Sequence, residues 1–206
     1  MRRGELTRLA LLRAAEHLFA EQGVEAVSLR EVASRAGQKN VSAVDYYFGG
    51  RLELLECVLE RHSSPMAERF SARVEAWREL PDRGPEPWVR LLVDTVAAKL
   101  DDDDGGHDYI RLCAQLTSSS SFPLTQTRSA TAPGAMALSA QIATYAPPSD
   151  GALGVLPFML FGNALYLTLN DVLRLRAIGQ DLPAKRVSDY LTETMMRIAQ
   201  LDDWSP

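Results

Sequence analysis

The sequence is poor in cysteine and has no excess of positive charge. Its two cysteines, Cys57 and Cys113, have no cysteine or histidine neighbours at metal-ligand spacing. Their isolation excludes a disulfide framework and a cysteine-based zinc site, and it favours the reducing cytoplasm as the location. The 206 residues include 22 basic and 27 acidic side chains, and the resulting net charge of −5 excludes a protein that coats polyanions with its whole surface.

A long uninterrupted apolar run is also missing. The most apolar stretch, residues 152–169, contains Gly154, Pro157 and Asn163, and a spanning helix needs about 18 apolar residues in a row. We therefore expect this stretch to be buried in protein, with no membrane partner. The basic N-terminus lacks the apolar core of a signal peptide. Sustained two-residue alternation and Asn-Gly or Asp-Gly hairpin turns are absent, which predicts an all-α fold.

Motifs of catalysis are missing as well. The sequence has no Gly-x-Ser-x-Gly elbow, no glycine-rich phosphate loop with lysine and no His-Glu-x-x-His. The histidines His17, His62 and His107 are scattered, which is typical of surface or satisfied residues. Residues 101–104 are four aspartates, but Leu112 stands where a calcium loop needs its last ligand. We expect a solvated acidic loop here, no metal or cofactor, and no enzymatic activity.

Three short helical segments open the chain. The first helix is predicted over residues 5–22, because its apolar residues recur three and four apart and Gly23 follows as a terminator. The second begins after Ser28, a capping residue, and the third runs from a second capping residue, Ser42, to Phe48. Two helices of about two turns on either side of a tight connection form the outline of a helix-turn-helix.

The rest of the chain is predicted to form a larger helical bundle. The predicted helices cover residues 51–80 with an interruption at 63–65, and residues 88–100, 108–116, 135–145, 152–176 and 184–202. Residues 81–87 are predicted to be a linker. Residues 117–134 are rich in Ser, Thr and Pro and are predicted to form a long mobile loop.

Within residues 7–59 the strings LLRAAEHLFAEQGVEAVSLREVASRAG and VSAVDYYFGGRLELL carry an ordered set of matches to one family. The matching positions are Ala14, Ala15, Leu18, Phe19, Gly23, Ser28, Leu29, Arg30, Val32, Ala33, Ala36, Gly37, Tyr47, Phe48, Arg51, Leu54 and Leu55. Over about a quarter of its length the chain therefore resembles the DNA-binding domain of the TetR-type transcriptional regulators.

A helix fits the major groove of DNA when a second helix braces it across the phosphate backbone. Val44 and Phe48, four residues apart, are expected to face the inner core, and Ala33 and Gly37 are small enough to permit a close contact between the two helices. By the resemblance, Tyr47 and Arg51 grip phosphates. The full set of candidate DNA-binding residues is Ser28, Arg30, Lys39, Asn40, Ser42, Ala43, Asp45, Tyr46, Tyr47 and Arg51.

The charge distribution agrees with a DNA-binding N-terminus. Residues 1–52 hold eight basic and six acidic side chains, a net charge of +2, which leaves −7 for the rest. Two positions depart from the family. The connection over residues 38–42 is one residue longer than usual, so Lys39 or Asn40 is expected to reach DNA. Asp45 replaces the usual tyrosine, and it either accepts a hydrogen bond from cytosine N4 or lowers overall affinity.

The last two helices carry the expected dimer interface. Residues of the last helix recur at alternating spacings of four and three, the spacing of helix-on-helix packing, and the helix before it is apolar nearly all round. Members of the family form two-fold dimers through such helices. The candidate interface residues are Leu165, Leu169, Val187, Leu191, Met195 and Ile198. The alternative is that both helices form only intrachain core. The family also implies a pocket for a small-molecule effector, with candidate lining residues Trp88, Tyr109, Leu112, Phe122, Met136, Phe158, Met159 and Phe161, each of which is otherwise ordinary core.

These observations predict an all-α protein with a DNA-binding domain at residues 1–50 and a ligand-binding and dimerisation domain at residues 51–206. The expected function is that of a cytoplasmic, ligand-responsive repressor. It would bind a palindromic operator in double-stranded DNA as a homodimer and be released by a small molecule. Two alternatives stay open: a helical bundle whose short helices read nothing, and a ligand-binding or enzyme-like bundle with an inactive DNA head.

Overall fold

The computed structural model describes residues 3–40, 42–79, 85–122 and 156–198, and within these ranges every regular element is helical. The helices are α1 (Arg3–Gln22), α2 (Leu29–Arg35), α3 (Ser42–Phe48), α4 (Arg51–Arg78), α5 (Pro85–Ala97), a 3-10 turn (Ala98–Asp101), α6 (Gly106–Thr117), α7 (Leu156–Ala177) and α8 (Ala184–Ile198). The predicted all-α fold is confirmed. The helix predicted at 135–145 lies outside the described residues. No helix in the described ranges combines the length and apolarity needed to cross a bilayer.

Two apolar cores organise these helices. The first is formed by α1, α2, α3, the first half of α4 and one face of α6, and its fully buried members include Leu11, Phe19 and Leu55. The second is formed by α5, α7 and α8 around Trp88 and Leu169. Helix α6 contributes to both cores, because its side chains point to α1 on one face and to α5 and α7 on the other. Helices α1 to α3 and the first half of α4 are here called the head, and the rest of the described chain is called the body. The head is therefore packed directly on the body.

Helix α4 is continuous where the sequence predicted a break at residues 63–65. Pro65 lies inside the helix and is exposed. A proline removes one backbone donor and crowds the carbonyl four residues earlier, which is why a break was expected. The helix continues because it packs on both sides of the proline, against α1 in its first half and against α5 further on. Tertiary packing overrides the local preference.

The acidic turn at residues 101–104 is mostly exposed, as expected of a solvated loop, and it also joins two helices. Asp104 forms ion pairs with Arg13 of α1 at 2.8 Å and with Arg61 of α4 at 2.6 Å. Asp102 accepts a hydrogen bond from Lys99 at 2.7 Å, and this bond lowers the pKa of the Asp102 carboxyl. The turn therefore connects α1 and α4 through Asp104 while its carboxylates stay in contact with water.

Gly105 occupies a crowded position of this junction. Its φ of +87° is in the left-handed region, and a Cβ there would lie 2.7 Å from Glu16 Oε1 and 2.9 Å from Arg61 Nη1. Gly179 has a nearly identical φ of +88°, but a Cβ there would meet nothing within 4 Å. Substitutions at these two glycines therefore distinguish the cost of backbone strain from the cost of steric crowding.

We expect Gly179→Ala to lower the free energy of unfolding by about 1 kcal/mol through backbone strain alone. Gly105→Ala adds a clash with a buried ion pair and should lower it by about 3 kcal/mol. Urea unfolding followed by circular dichroism measures both. Equal losses in the two variants would show that the ion pair yields freely to the added methyl group.

Candidate nucleic-acid interface

Helix α2 starts at a side-chain cap. The Ser28 hydroxyl accepts a hydrogen bond from the backbone N–H of Glu31 at 3.1 Å, which satisfies a donor that the helix itself leaves open. Ala33 is buried where α2 meets the head core, as expected. Gly37 is exposed, and a Cβ there would touch nothing, so its expected role in a close helix contact is wrong. It is required instead for its φ of +70°, which ends the helix.

Helix α3 separates its residues into an inner and an outer set. Val44 and Phe48 are buried in the head core, as predicted, beside Val32 and Leu18. Asp45 and Tyr46 face solvent, and the Tyr46 side chain is 80% exposed. This arrangement presents a polar and aromatic surface one helix wide, which is the width that the major groove accepts.

Asn40, and not Ser42, supplies the side-chain hydrogen bond at the start of α3. The Asn40 Oδ1 accepts from the backbone N–H of Ser42 at 3.0 Å. Reading adenine with two hydrogen bonds requires both Oδ1 and Nδ2 of an asparagine. In this conformation Oδ1 of Asn40 already accepts one hydrogen bond from the backbone, so the longer connection serves first to begin the helix. Lys39 beside it is exposed.

Tyr47 and Ala43 lie at the edge of the reading surface. Both are half-buried and pack against the head core. The Tyr47 hydroxyl lies against the first turn of α1, so that a Cβ on Gly4 would be 3.4 Å from it. The Tyr46 and Tyr47 rings meet edge to face with centroids 5.0 Å apart. Tyr47 therefore has one end in the core and its hydroxyl at the rim, where a phosphate would pass.

Arg51 does not lie with the exposed set. Its guanidinium donates hydrogen bonds to the carbonyl oxygens of Val24 and Val27, and a longer one of 3.5 Å to Glu25. The expectation that Arg51 grips phosphate stays a prediction, and in the structure its Nη1 holds the loop between α1 and α2. The resemblance identified the residue as important without showing which partner it uses.

The remaining candidates line the same side of the head. Arg30 at the start of α2 is exposed, as are Lys39 and Ser42 at the start of α3. Most of the predicted DNA-contact residues are exposed at the starts of α2 and α3 and along α3, with Ala43 and Tyr47 half-buried, and we call this set the reading face: Ser28, Arg30, Lys39, Asn40, Ser42, Ala43, Asp45, Tyr46 and Tyr47. Its charges are two cations and one carboxylate.

Behind the reading face lies a buried polar cluster that the sequence analysis missed. Glu16 of α1 is 3% exposed and contacts both Arg61, at 2.8 Å, and His62 of α4. The Lys99 ammonium donates to His62 Nδ1 at 3.0 Å, which leaves Nε2 to donate to Glu16. The His62 ring also stacks on Tyr109 of α6 with centroids 4.7 Å apart. Sequence spacing carries no signal for contacts between helices so far apart in the chain.

The predicted effector residues are mostly core. Tyr109 and Leu112 are buried in the first core, and Trp88 and Phe161 in the second. Met159 is half-buried in α7, the side chain of Phe158 and all of Met136 lie outside what is described, and Phe122 is half-buried beside the end of α6. Near Tyr109, burial raises the pKa of the Cys113 thiol to about 12, which removes it as a reactive group at neutral pH.

The predicted dimer residues are in the wrong place for an interface. Leu165, Leu169, Val187, Leu191 and Met195 are buried in the chain's own second core, where α7 and α8 pack with α5; the side chain of Ile198 lies outside the described set. Apolar residues three and four apart show that one face of a helix is covered, but they do not show which helix covers it. Exposed apolar side chains on the same two helices are Leu160, Leu167, Leu175 and Tyr190.

A short exposed helix, braced by a second one and fixed by a buried face, defines a helix-turn-helix DNA-binding protein. Residues 11–58 match the family model described as "Bacterial regulatory proteins, tetR family". This match covers residues 11–58, so it assigns the N-terminal segment to the DNA-binding domain type of that family.

Relatives and solved structures agree with this assignment. The chain is 33% identical over 90 residues to the HTH-type transcriptional regulator SrpR of Pseudomonas putida, covering 43% of this chain and 38% of that protein. It is 33% identical over 88 residues to the uncharacterized HTH-type transcriptional regulator TtgW, also of Pseudomonas putida, covering 42% of this chain and 58% of that protein. The matches thus span less than two thirds of either relative.

The fold is shared over nearly the whole chain. A transcriptional regulator (TerR/AcrR family) from Aquifex aeolicus VF5 superposes with a TM-score of 0.52 at 17% identity, covering 93% of this chain and 99% of that one. At this identity the likeness establishes the architecture and nothing about the ligand.

We expect Arg51→Ala to lower the free energy of unfolding by about 2 kcal/mol, because it removes charged hydrogen bonds to otherwise open carbonyls. Arg30→Ala, an exposed arginine in the same head, should change it by less than about 0.5 kcal/mol. Urea denaturation at neutral pH provides the comparison. If Arg51→Ala matched Arg30→Ala, the guanidinium would not be holding the loop.

Proposed function

We propose that this chain is a ligand-responsive transcriptional repressor that binds a palindromic operator through its head and releases it when a small molecule binds. The observation that carries the proposal is the reading face, in which α3 turns Val44 and Phe48 inward and Tyr46 outward. Residues 1–50 would read DNA, and residues 51–206 would bind the effector and dimerise. Such a regulator acts in the cytoplasm and needs no enzymatic chemistry.

Each residue of the reading face has a distinct proposed role. Arg30 and Lys39 contact phosphates, which position the head without reading sequence. Tyr46 and Asp45 point furthest outward from α3 and contact base edges. Asp45 is repelled by phosphates and accepts a hydrogen bond from cytosine N4, so we assign it to sequence preference. Two exposed cations against this one carboxylate leave the face mildly positive.

Selection of bound sequences from random duplex DNA by the purified chain tests the proposal. We expect a two-fold symmetric motif, because a dimer presents two reading faces. Asp45→Asn retains the size of the side chain but replaces an acceptor with a mixed donor and acceptor. It should change the preferred base at one position of each half-site and leave the others unchanged. Recovery of unenriched DNA would favour an inactive head on a ligand-binding bundle.

A salt titration separates phosphate contacts from base contacts. Removing one phosphate contact reduces the slope of log affinity against log salt by about 1. We expect this from Arg30→Ala, with similar weakening on every duplex. Arg174→Ala, an exposed arginine on α7 of the body, is the matched control and should leave the slope unchanged. An unchanged slope in Arg30→Ala would remove that residue from the interface.

We propose that a second copy covers the exposed apolar residues of α7 and α8 instead of those first predicted. Leu160 and Leu167 are seven residues apart and thus lie on one face of α7, and Tyr190 is exposed on α8. Helices packed against symmetry mates in this way form a four-helix interface. The two heads would then face the same side of a duplex.

Leu167→Glu should therefore convert the dimer to a monomer, because it places a charge in an apolar contact between copies. Leu52→Glu is the matched control: Leu52 is 51% exposed and Leu167 46%, but Leu52 lies on α4 of the head. Light scattering after size exclusion reports the mass of each variant. A dimeric Leu167→Glu with the wild-type association constant would place the interface elsewhere.

A further inference from the structure

A pocket lies at the junction of head and body, at the edge of the first apolar core, which contributes Val24 and Leu116 to its lining. It is open to solvent and is bordered by the loop between α1 and α2 and by the end of α6, and its volume is about 390 Å³. This is within the range of pockets that bind small molecules. Its lining includes Val24, Glu25, Gln115, Leu116, Ser119 and Phe122. Of the effector contacts predicted from sequence, Phe122 alone lies in this lining.

The lining has one formal charge, and it is negative. Glu25 contributes a carboxylate on an exposed residue, and none of the lining residues is Lys, Arg or His. Two helices also end here, since α1 ends at Gln22 and α6 at Thr117. Neither has a basic residue in its last turn. Because the C-terminal end of a helix carries partial negative charge, the field in the pocket favours a cation.

Among the residues that the structure describes, Arg51 is a cation that contacts this loop. Its guanidinium donates to the carbonyl oxygens of Val24 and Val27 and is half-buried. Arg51 is therefore engaged by backbone carbonyls and is not one of the residues that line the pocket. At Glu25 it is the backbone carbonyl, and not the carboxylate, that accepts from Arg51.

The part of the lining that follows α6 offers apolar and hydroxyl groups. Phe122 is half-buried, and its backbone N–H donates a hydrogen bond to Ser119 Oγ at 2.9 Å. An aromatic face attracts a cation within about 6 Å. Leu116 adds a buried apolar residue. The lining thus includes an acidic residue from the α1–α2 loop and an aromatic residue from the segment after α6.

We propose that this junction pocket binds a small organic cation with an apolar body, such as an aryl quaternary ammonium. The occupant would contact Glu25 of the head and Phe122 of the body at once. Gln115 already links the two sides by donating to the Ala20 carbonyl at 2.7 Å. Because the loop leads directly to the Ser28 cap of α2, an occupant here restrains the reading face. The restraint of the reading face rests on the proposed operator binding, whereas the binding of the cation to the pocket does not.

Calorimetric titration of the full chain, without DNA, tests the site with benzyltrimethylammonium as the probe. We expect saturable binding that weakens about tenfold in Glu25→Gln and in Phe122→Ala. Glu68→Gln removes the same charge from an exposed position on α4 outside the pocket and should bind as the wild type does. Benzyl alcohol and benzoate, which lack the positive charge, should bind at least about tenfold more weakly than the cation.

Three results would each overturn the proposal. The first is equal affinity of the probe for the wild type and for Glu25→Gln, the second is equal affinity of the wild type for the cation and for benzyl alcohol, and the third is no binding of the probe. Because no DNA is present, these outcomes are independent of whether the head binds an operator. A separate titration of the selected duplex, with and without the probe, then measures the coupling. An operator that is bound normally but is insensitive to a probe that binds would refute the restraint of the reading face alone.

Discussion

The structure depends on one buried carboxylate. Glu16 lies in the middle of α1, is 3% exposed, and needs compensation because an isolated buried charge is very costly. Arg61 and His62 of α4 provide it, and both continue into the body, Arg61 to Asp104 and His62 to Lys99. The head therefore cannot leave the body without exposing an ion pair that the fold has removed from water.

This constraint connects the buried polar cluster to function. The reading face is held from behind by the packing of Val44 and Phe48 on α1 and α4, and α1 is the helix that Glu16 fixes. Arg51 fixes the loop between α1 and α2 from the other side. Helix α6 packs on α1 and carries Tyr109 against His62, so the polar cluster brings α1, α4 and α6 into contact.

Much of the head was predictable from sequence because its determinants are local. The cap at Ser28, the terminators at Gly23 and Gly37 and the inward pair Val44 and Phe48 are fixed by spacing within one or two turns. Most of the reading face followed from the same pattern. These features hold whatever the head is packed against.

The errors concern partners far apart in the chain. The spacing around Leu191 and the apolar character of the helix that holds Leu169 correctly indicated buried faces, but the partners lie in the same chain, where α8 packs on α5 and α7 on α6. The guanidinium of Arg51 was assigned to phosphate, and in the structure it donates to the carbonyls of Val24 and Val27. The aspartates at 101–104 are mostly exposed as expected, but Arg13 and Arg61 were not identified as their partners because both are distant in sequence. Periodicity reports that a side chain is covered or charged, and only tertiary structure identifies its partner.

Native-state hydrogen exchange of the full chain tests the central claim most directly. If Glu16 and its partners hold head and body together, the slowest amides of α1 and α6 should open with the same free energy, as one cooperative unit. In Glu16→Ala the two helices should separate into units of different stability. The account would be contradicted if, in the unaltered chain, the amides of α1 exchanged with a much smaller free energy of opening than those of α6.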